Sequence, residues 1–81
     1  MKNRSYDKKF LRLVVIIRHL GTDGYVTTPA LAREFNVTIR TVQRDISLIE
    51  QGGFPLVRTS SGWQFMEGFQ FSFDFKQRLS V

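Results

Sequence analysis

The chain has no cysteine and a single histidine. The first absence excludes a disulfide framework and a thiolate metal site, and it fits a reducing cytoplasm. The second, with carboxylates scattered along the chain, leaves no cluster at metal-ligand spacing, so no metal or other cofactor is expected. Long apolar runs are also missing. The longest, Leu13 to Ile17, is five residues, whereas a membrane span needs about 20, so no membrane partner is expected. Arg18 and His19 interrupt that run and no small-residue cleavage site follows, so no signal peptide is expected despite the basic start. There is no nucleophile–base pair, no phosphate loop and no carboxylate dyad placed by a motif. The expectation is a binding protein, not an enzyme.

What is present is small and basic. At 81 residues the chain is enough for one domain, and 42% hydrophobic residues supply a modest core. Eight Phe and one Trp are many for this length, and each buries a large area. The formal net charge is +5, and its distribution is lopsided. Lys2, Arg4, Lys8, Lys9, Arg12 and Arg18 face Asp7 alone in the first twenty residues, whereas basic and acidic residues balance over 21–81. Such a segment suits a polyanion, nucleic acid first. The aromatic–glycine motifs of RNA-binding sheets are missing, which places RNA behind DNA.

Periodicity divides the chain into helices followed by strands. Residues 6–20 carry Phe10, Leu13, Val14, Ile17 and Leu20 at helical spacing, with Ser5 as the expected N-cap and Gly21 as the expected stop. Tyr25 to Thr27 suit a very short strand. Thr28-Pro29 reads as an N-cap and first-turn proline of a two-turn helix, PALAREF, that buries Leu31, Ala32 and Phe35. Asn36 tolerates a left-handed turn, and Thr38 can cap a third helix running to about Gln51. Gly52-Gly53 ends it. Residues 55–59 and 62–66 read as a hairpin turning at Ser60-Ser61-Gly62.

The third helix begins inside NVTIRTVQRDISLI, residues 36–49, where two patterns are interleaved. Ile39, Val42, Ile46 and Ile49 form one apolar face, and Arg40, Thr41, Gln43, Arg44 and Ser47 lie between them. Two short helices joined by about three residues, with a hairpin behind, make an α+β winged helix-turn-helix of three helices and a β-hairpin wing. Residues 1–66 are assigned to this domain, and 67–81 to an extra C-terminal strand.

At this point the chain resembles a family. TTPALAREFNVTIRTVQRDISLIEQGGFPLV, followed by GWQF, is similar to the N-terminal DNA-binding domain of DeoR-like and WYL-domain bacterial transcription regulators. The resemblance covers roughly residues 10–66, and V-T-x-R-T-V-x-R-D-I is its most specific run. Asn36 stands where that family usually has Gly, and the GGF after helix three is slightly longer than usual. The large effector-binding domain of those regulators has no counterpart here, so no small-molecule effector domain is expected.

The resemblance implies that helix three enters the major groove of double-stranded DNA. Arg40 and Arg44, four apart, can each pair with a guanine edge, and Gln43 with adenine. Thr38 and Thr41 suit phosphate contacts. Thr28 opens a helix whose free N–H groups favour a phosphate, and Arg33 can add a backbone contact. In the wing, Arg58, Thr59, Ser60 and Ser61 can reach a phosphate or the minor groove. Asp45 is acidic beside a polyanion, so it is read as structural, orienting an arginine. Trp63 is read as a core anchor under the wing, and His19 as an ordinary helix-end residue.

Residues 68–75, GFQFSFDF, alternate strictly, with Phe69, Phe71, Phe73 and Phe75 on one side. That stripe must be covered, either by the domain's own core or by the same strand of a second copy. The second option gives a two-fold dimer suited to a palindromic site. The expected function is therefore a bacterial or phage transcriptional regulator, most simply a dimeric repressor acting by operator occupancy in the cytoplasm, at the nucleoid. The alternative is a protein–protein adaptor that uses the Phe-rich strand.

Overall fold

A computed structural model of the chain describes residues 4–69. The first helical pattern becomes α1, Arg4–Asp23, which is longer at both ends than the sequence suggests. Ser5 lies inside it, not at its cap. Gly21 does not stop it, although glycine in a helix costs about 1 kcal/mol relative to alanine. The last turn offsets that cost with side-chain bonds. The Thr22 hydroxyl donates to the Arg18 carbonyl at 2.9 Å, and His19 Nδ1 lies 2.9 Å from Asp23 Oδ2. The left-handed Gly24, φ 92°, then releases the chain. The buried face of α1 is centred on Ile16 and Leu20, with Leu13 and Ile17 half-buried beside them. Phe10, expected within that stripe, is 65% exposed.

The short strand expected at 25–27 is a single bridge. Val26 N–H donates to Trp63 O and Trp63 N–H donates to Val26 O, both at 2.8 Å. α2 follows at Thr28–Phe35, and its N-cap is Thr27, not Thr28. The Thr27 hydroxyl accepts from Ala30 N at 3.3 Å. A cap at Thr28 would need the N–H of Leu31, which already donates to Thr27 O. Thr27→Ala should therefore lower stability by about 1 kcal/mol, with Thr28→Ala close to neutral. Thermal unfolding of the two variants side by side checks this, and a larger loss in Thr28→Ala than in Thr27→Ala would return the cap to Thr28.

The turn into the third helix is a Schellman motif. Asn36 is left-handed (φ 56°, ψ 48°), its N–H donates to Arg33 O, and Val37 N–H donates to Ala32 O. α3 is Ile39–Gln51, capped by Thr38, whose hydroxyl accepts from Thr41 N at 3.1 Å. Its apolar face buries Val42, Ile46 and Ile49. β1, Leu56–Thr59, pairs antiparallel with β2, Gly62–Phe65, in the register Leu56↔Phe65 through Thr59↔Gly62. Pro55 stays outside the strand, but its carbonyl accepts from Met66 N.

Three helices and a two-stranded wing share one core of Ile16, Leu20, Val26, Leu31, Ala32, Val42, Ile46, Ile49 and Leu56. Trp63 and Phe65 pack against it half-buried, which agrees with Trp63 as an anchor under the wing. Phe69 turns back onto the base of the hairpin, with its ring centroid 4.9 Å from Phe65 and 6.2 Å from Phe54. Phe71, Phe73 and Phe75, and with them the expected C-terminal strand, lie outside the described residues.

Candidate nucleic-acid interface

α3 has two faces of opposite character. Its inner face is core, and its outer face carries Arg40, Gln43, Arg44 and Ser47, all exposed. Ion pairing is the competing use for Arg44, through Asp45 or Glu50. Among the described residues, neither Arg40 nor Arg44 has a carboxylate within ion-pair distance. Asp45 is turned the other way, into the core, where it pairs with Arg12 of α1. The expectation that Asp45 orients an arginine holds, with an arginine 33 residues away as the partner. Arg40 and Arg44 thus project long cationic side chains into solvent from a helix that the core immobilises.

Thr38 is exposed at the start of α3. Its hydroxyl accepts from Thr41 N and donates to the Thr41 hydroxyl at 3.1 Å. The cap therefore occupies Thr38, and the half-buried Thr41 hydroxyl, receiving that proton, keeps its own for an outside acceptor. Arg33 is exposed in the last turn of α2.

The wing and the start of α2 meet. Thr28, Arg58, Ser60 and Ser61 line one small open cleft of about 180 Å³. Arg58 is exposed, and its guanidinium lies 6.0 Å from the Trp63 ring centroid, the outer limit of a cation–π contact. The turn is braced by Thr59, whose hydroxyl donates to Gly62 O at 3.1 Å and accepts from Ser61 N at 3.1 Å. The residues singled out in the sequence thus fall into two groups: α3 with its cap, and the cleft between α2 and the wing. Arg33 stands apart from both.

Sequence reasoning missed two contacts. Arg12 counted only as part of the basic N-terminus, and nothing in its spacing named Asp45. His19 is more than a helix-end residue, because Nε2 lies 3.2 Å from Glu34 Oε1 while Nδ1 faces Asp23, which ties α1 to α2. The four-residue spacing of His19 and Asp23 was the available signal.

Residues 12–64 match the family model described as an HTH domain, which is more than half of the 81 residues. The chain belongs to the HTH domain family. The HTH domain spans the second half of α1, the helix-turn-helix proper and nearly all of the wing. It is a DNA-binding domain of the kind found in transcription regulators. No curated protein matches the chain. Among the described residues, no helix is long and apolar enough to cross a membrane, and no group of three or more His, Cys, Asp or Glu side chains is placed to hold a metal ion.

Proposed function

We propose that this HTH domain binds double-stranded DNA sequence-specifically and regulates transcription as a bacterial or phage repressor, by occupying its operator. The observation that carries the reading is the outer face of α3: Arg40, Gln43 and Arg44 exposed on a helix whose other face is core. These side chains suit the hydrogen-bonding edges of guanine and adenine. Thr41, Thr28, Arg33, Arg58, Ser60 and Ser61 supply phosphate contacts that set the register. The similarity of V-T-x-R-T-V-x-R-D-I to DeoR-like and WYL-domain regulators supports the same reading, as does the basic N-terminal segment. The domain is proposed to work as a homodimer through residues 67–81, in the cytoplasm at the nucleoid. A monomeric mass in solution at micromolar concentration would remove the dimer.

Fluorescence anisotropy tests the DNA reading directly. Wild type on a mixed-sequence duplex at low salt should bind. The logarithm of its affinity should fall linearly with the logarithm of salt, by about 0.9 per phosphate neutralised. Arg40→Ala/Arg44→Ala should weaken binding at least about tenfold, with an unchanged circular dichroism spectrum. No binding at low salt, or binding indifferent to the two arginines, would move the function to the protein–protein adaptor.

A further inference from the structure

The Arg12–Asp45 pair is out of place in an aliphatic core. Asp45 is 1% exposed, on α3 between Arg44 and the buried Ile46. Its carboxylate accepts from both Nε and Nη2 of Arg12, the second bond at 3.2 Å, and the Arg12 side chain is 13% exposed. Among the described residues, no buried side-chain polar atom lacks a partner. Arg12 also lines a groove with Val15 of α1 and Phe35, Asn36 and Val37 of the turn. The pair therefore sits where α1, α3 and the helix-turn-helix turn converge.

Stability alone does not explain it. A buried ion pair loses hydration on both partners, and well-packed apolar residues of similar size generally serve as well or better. What an arginine–carboxylate fork adds is direction, because two parallel hydrogen bonds hold only in one relative orientation. Apolar contacts such as those of Ile16, Val42, Ile46 and Ile49 are non-directional and leave a helix some freedom to turn about its axis. The outer side chains of a helix lie about 5–6 Å from its axis. A turn of 20° therefore displaces them by roughly 2 Å, and productive recognition tolerates only about 0.5 Å or 10–20°. Arg44 is the immediate neighbour of the residue that is clamped.

We propose that Arg12 and Asp45 are positioning residues that fix the rotation of α3, and that they govern discrimination between DNA sequences without setting affinity for DNA in general. The inference rests on the DNA reading proposed above. The phosphate contacts of exposed side chains tolerate a small rotation, because phosphates are contacted one at a time by flexible side chains. Base edges do not, since bidentate pairing needs one geometry.

The test first selects a preferred duplex from a random pool with the wild-type chain. Affinities for that duplex and for a mixed-sequence duplex are then measured for wild type, Arg12→Met/Asp45→Leu and Arg12→Lys. The double substitution removes one charge of each sign, so the net charge of +5 is preserved. It should unfold at the wild-type temperature or above and bind the mixed duplex as wild type does. Its preference for the selected duplex should fall roughly tenfold or more, about the effect of one mismatched base pair. Arg12→Lys keeps the charge but loses the fork, and it should lose preference in the same sense. If the double variant does not fold, Arg12→Lys decides. Undiminished preference in a folded variant overturns the proposal and leaves the DNA reading standing. A wild-type chain that binds no duplex overturns both.

Discussion

Gly62→Ala should be among the most damaging single substitutions in the domain, lowering stability by about 3 kcal/mol or more. Two effects combine. Gly62 has φ 138°, a conformation that side chains rarely adopt, and such strain costs of order 1–3 kcal/mol. A Cβ there would also run into the backbone carbonyl of Val26 and press on Thr27 Cγ2, and overpacking of this kind costs typically 1–3 kcal/mol. The obstacle is backbone, so no side-chain rotation relieves it. The neighbouring Trp63 makes the bridge to Val26, and Thr27 caps α2, so the damage reaches both. For a domain of this size, melting should fall on the order of 10–25 °C. Calorimetry or circular dichroism reads this out, and a wild-type Tm would mean that the wing does not close on Val26.

Arg12→Met should be comparably destabilising, by about 3–5 kcal/mol, because it strands Asp45 in the core without a partner. The informative comparison is with Arg12→Met/Asp45→Leu, which should recover the whole of the loss. A cycle with Asp45→Leu alone completes the measurement and yields the coupling between the two positions. A single Arg12→Met as stable as wild type would mean that the carboxylate finds water or another donor. Additive losses in the cycle would mean that the two side chains do not act as a pair.

The helix-turn-helix and hairpin were legible in the sequence because their determinants are local. Asn36 at the left-handed turn, Thr38 three residues ahead of the Thr41 N–H, and the Val42–Ile46–Ile49 period each act within a few positions, whereas Ile39, at the same spacing but in the first turn, is 44% exposed. The outer face of α3 was legible for the same reason, since Arg40 and Arg44 lie about one helical period apart and out of phase with the buried Val42 and Ile46. What was not legible depended on partners distant in the chain. Thr27 caps α2 in place of Thr28 because Val26 is held by Trp63, and no pattern within 25–29 discloses that bridge. The face of α1 was mis-phased for a related reason. Phe10 fits the stripe by hydropathy, but the inward side of the helix is set by Ile16 and Leu20, beside an arginine committed to Asp45. A charged residue turned inward looks like a surface residue until its counter-ion is known.

The bridge between Val26 and Trp63 has a mechanical consequence. The hairpin is fastened at its base by Leu56 and Phe65 and again at Trp63. Beyond that second fastening only the Thr59–Gly62 pair and the Ser60–Ser61 turn remain. The overhang is roughly two residues, or about 7 Å at the rise of an extended strand. So short a cantilever has little room to flex, and α3 is anchored in the same core. In the complex proposed above, the Arg40–Arg44 face and the wing tip are both held by this one core, a caliper whose jaws are set before a duplex arrives, and a duplex that does not match that span would have to deform.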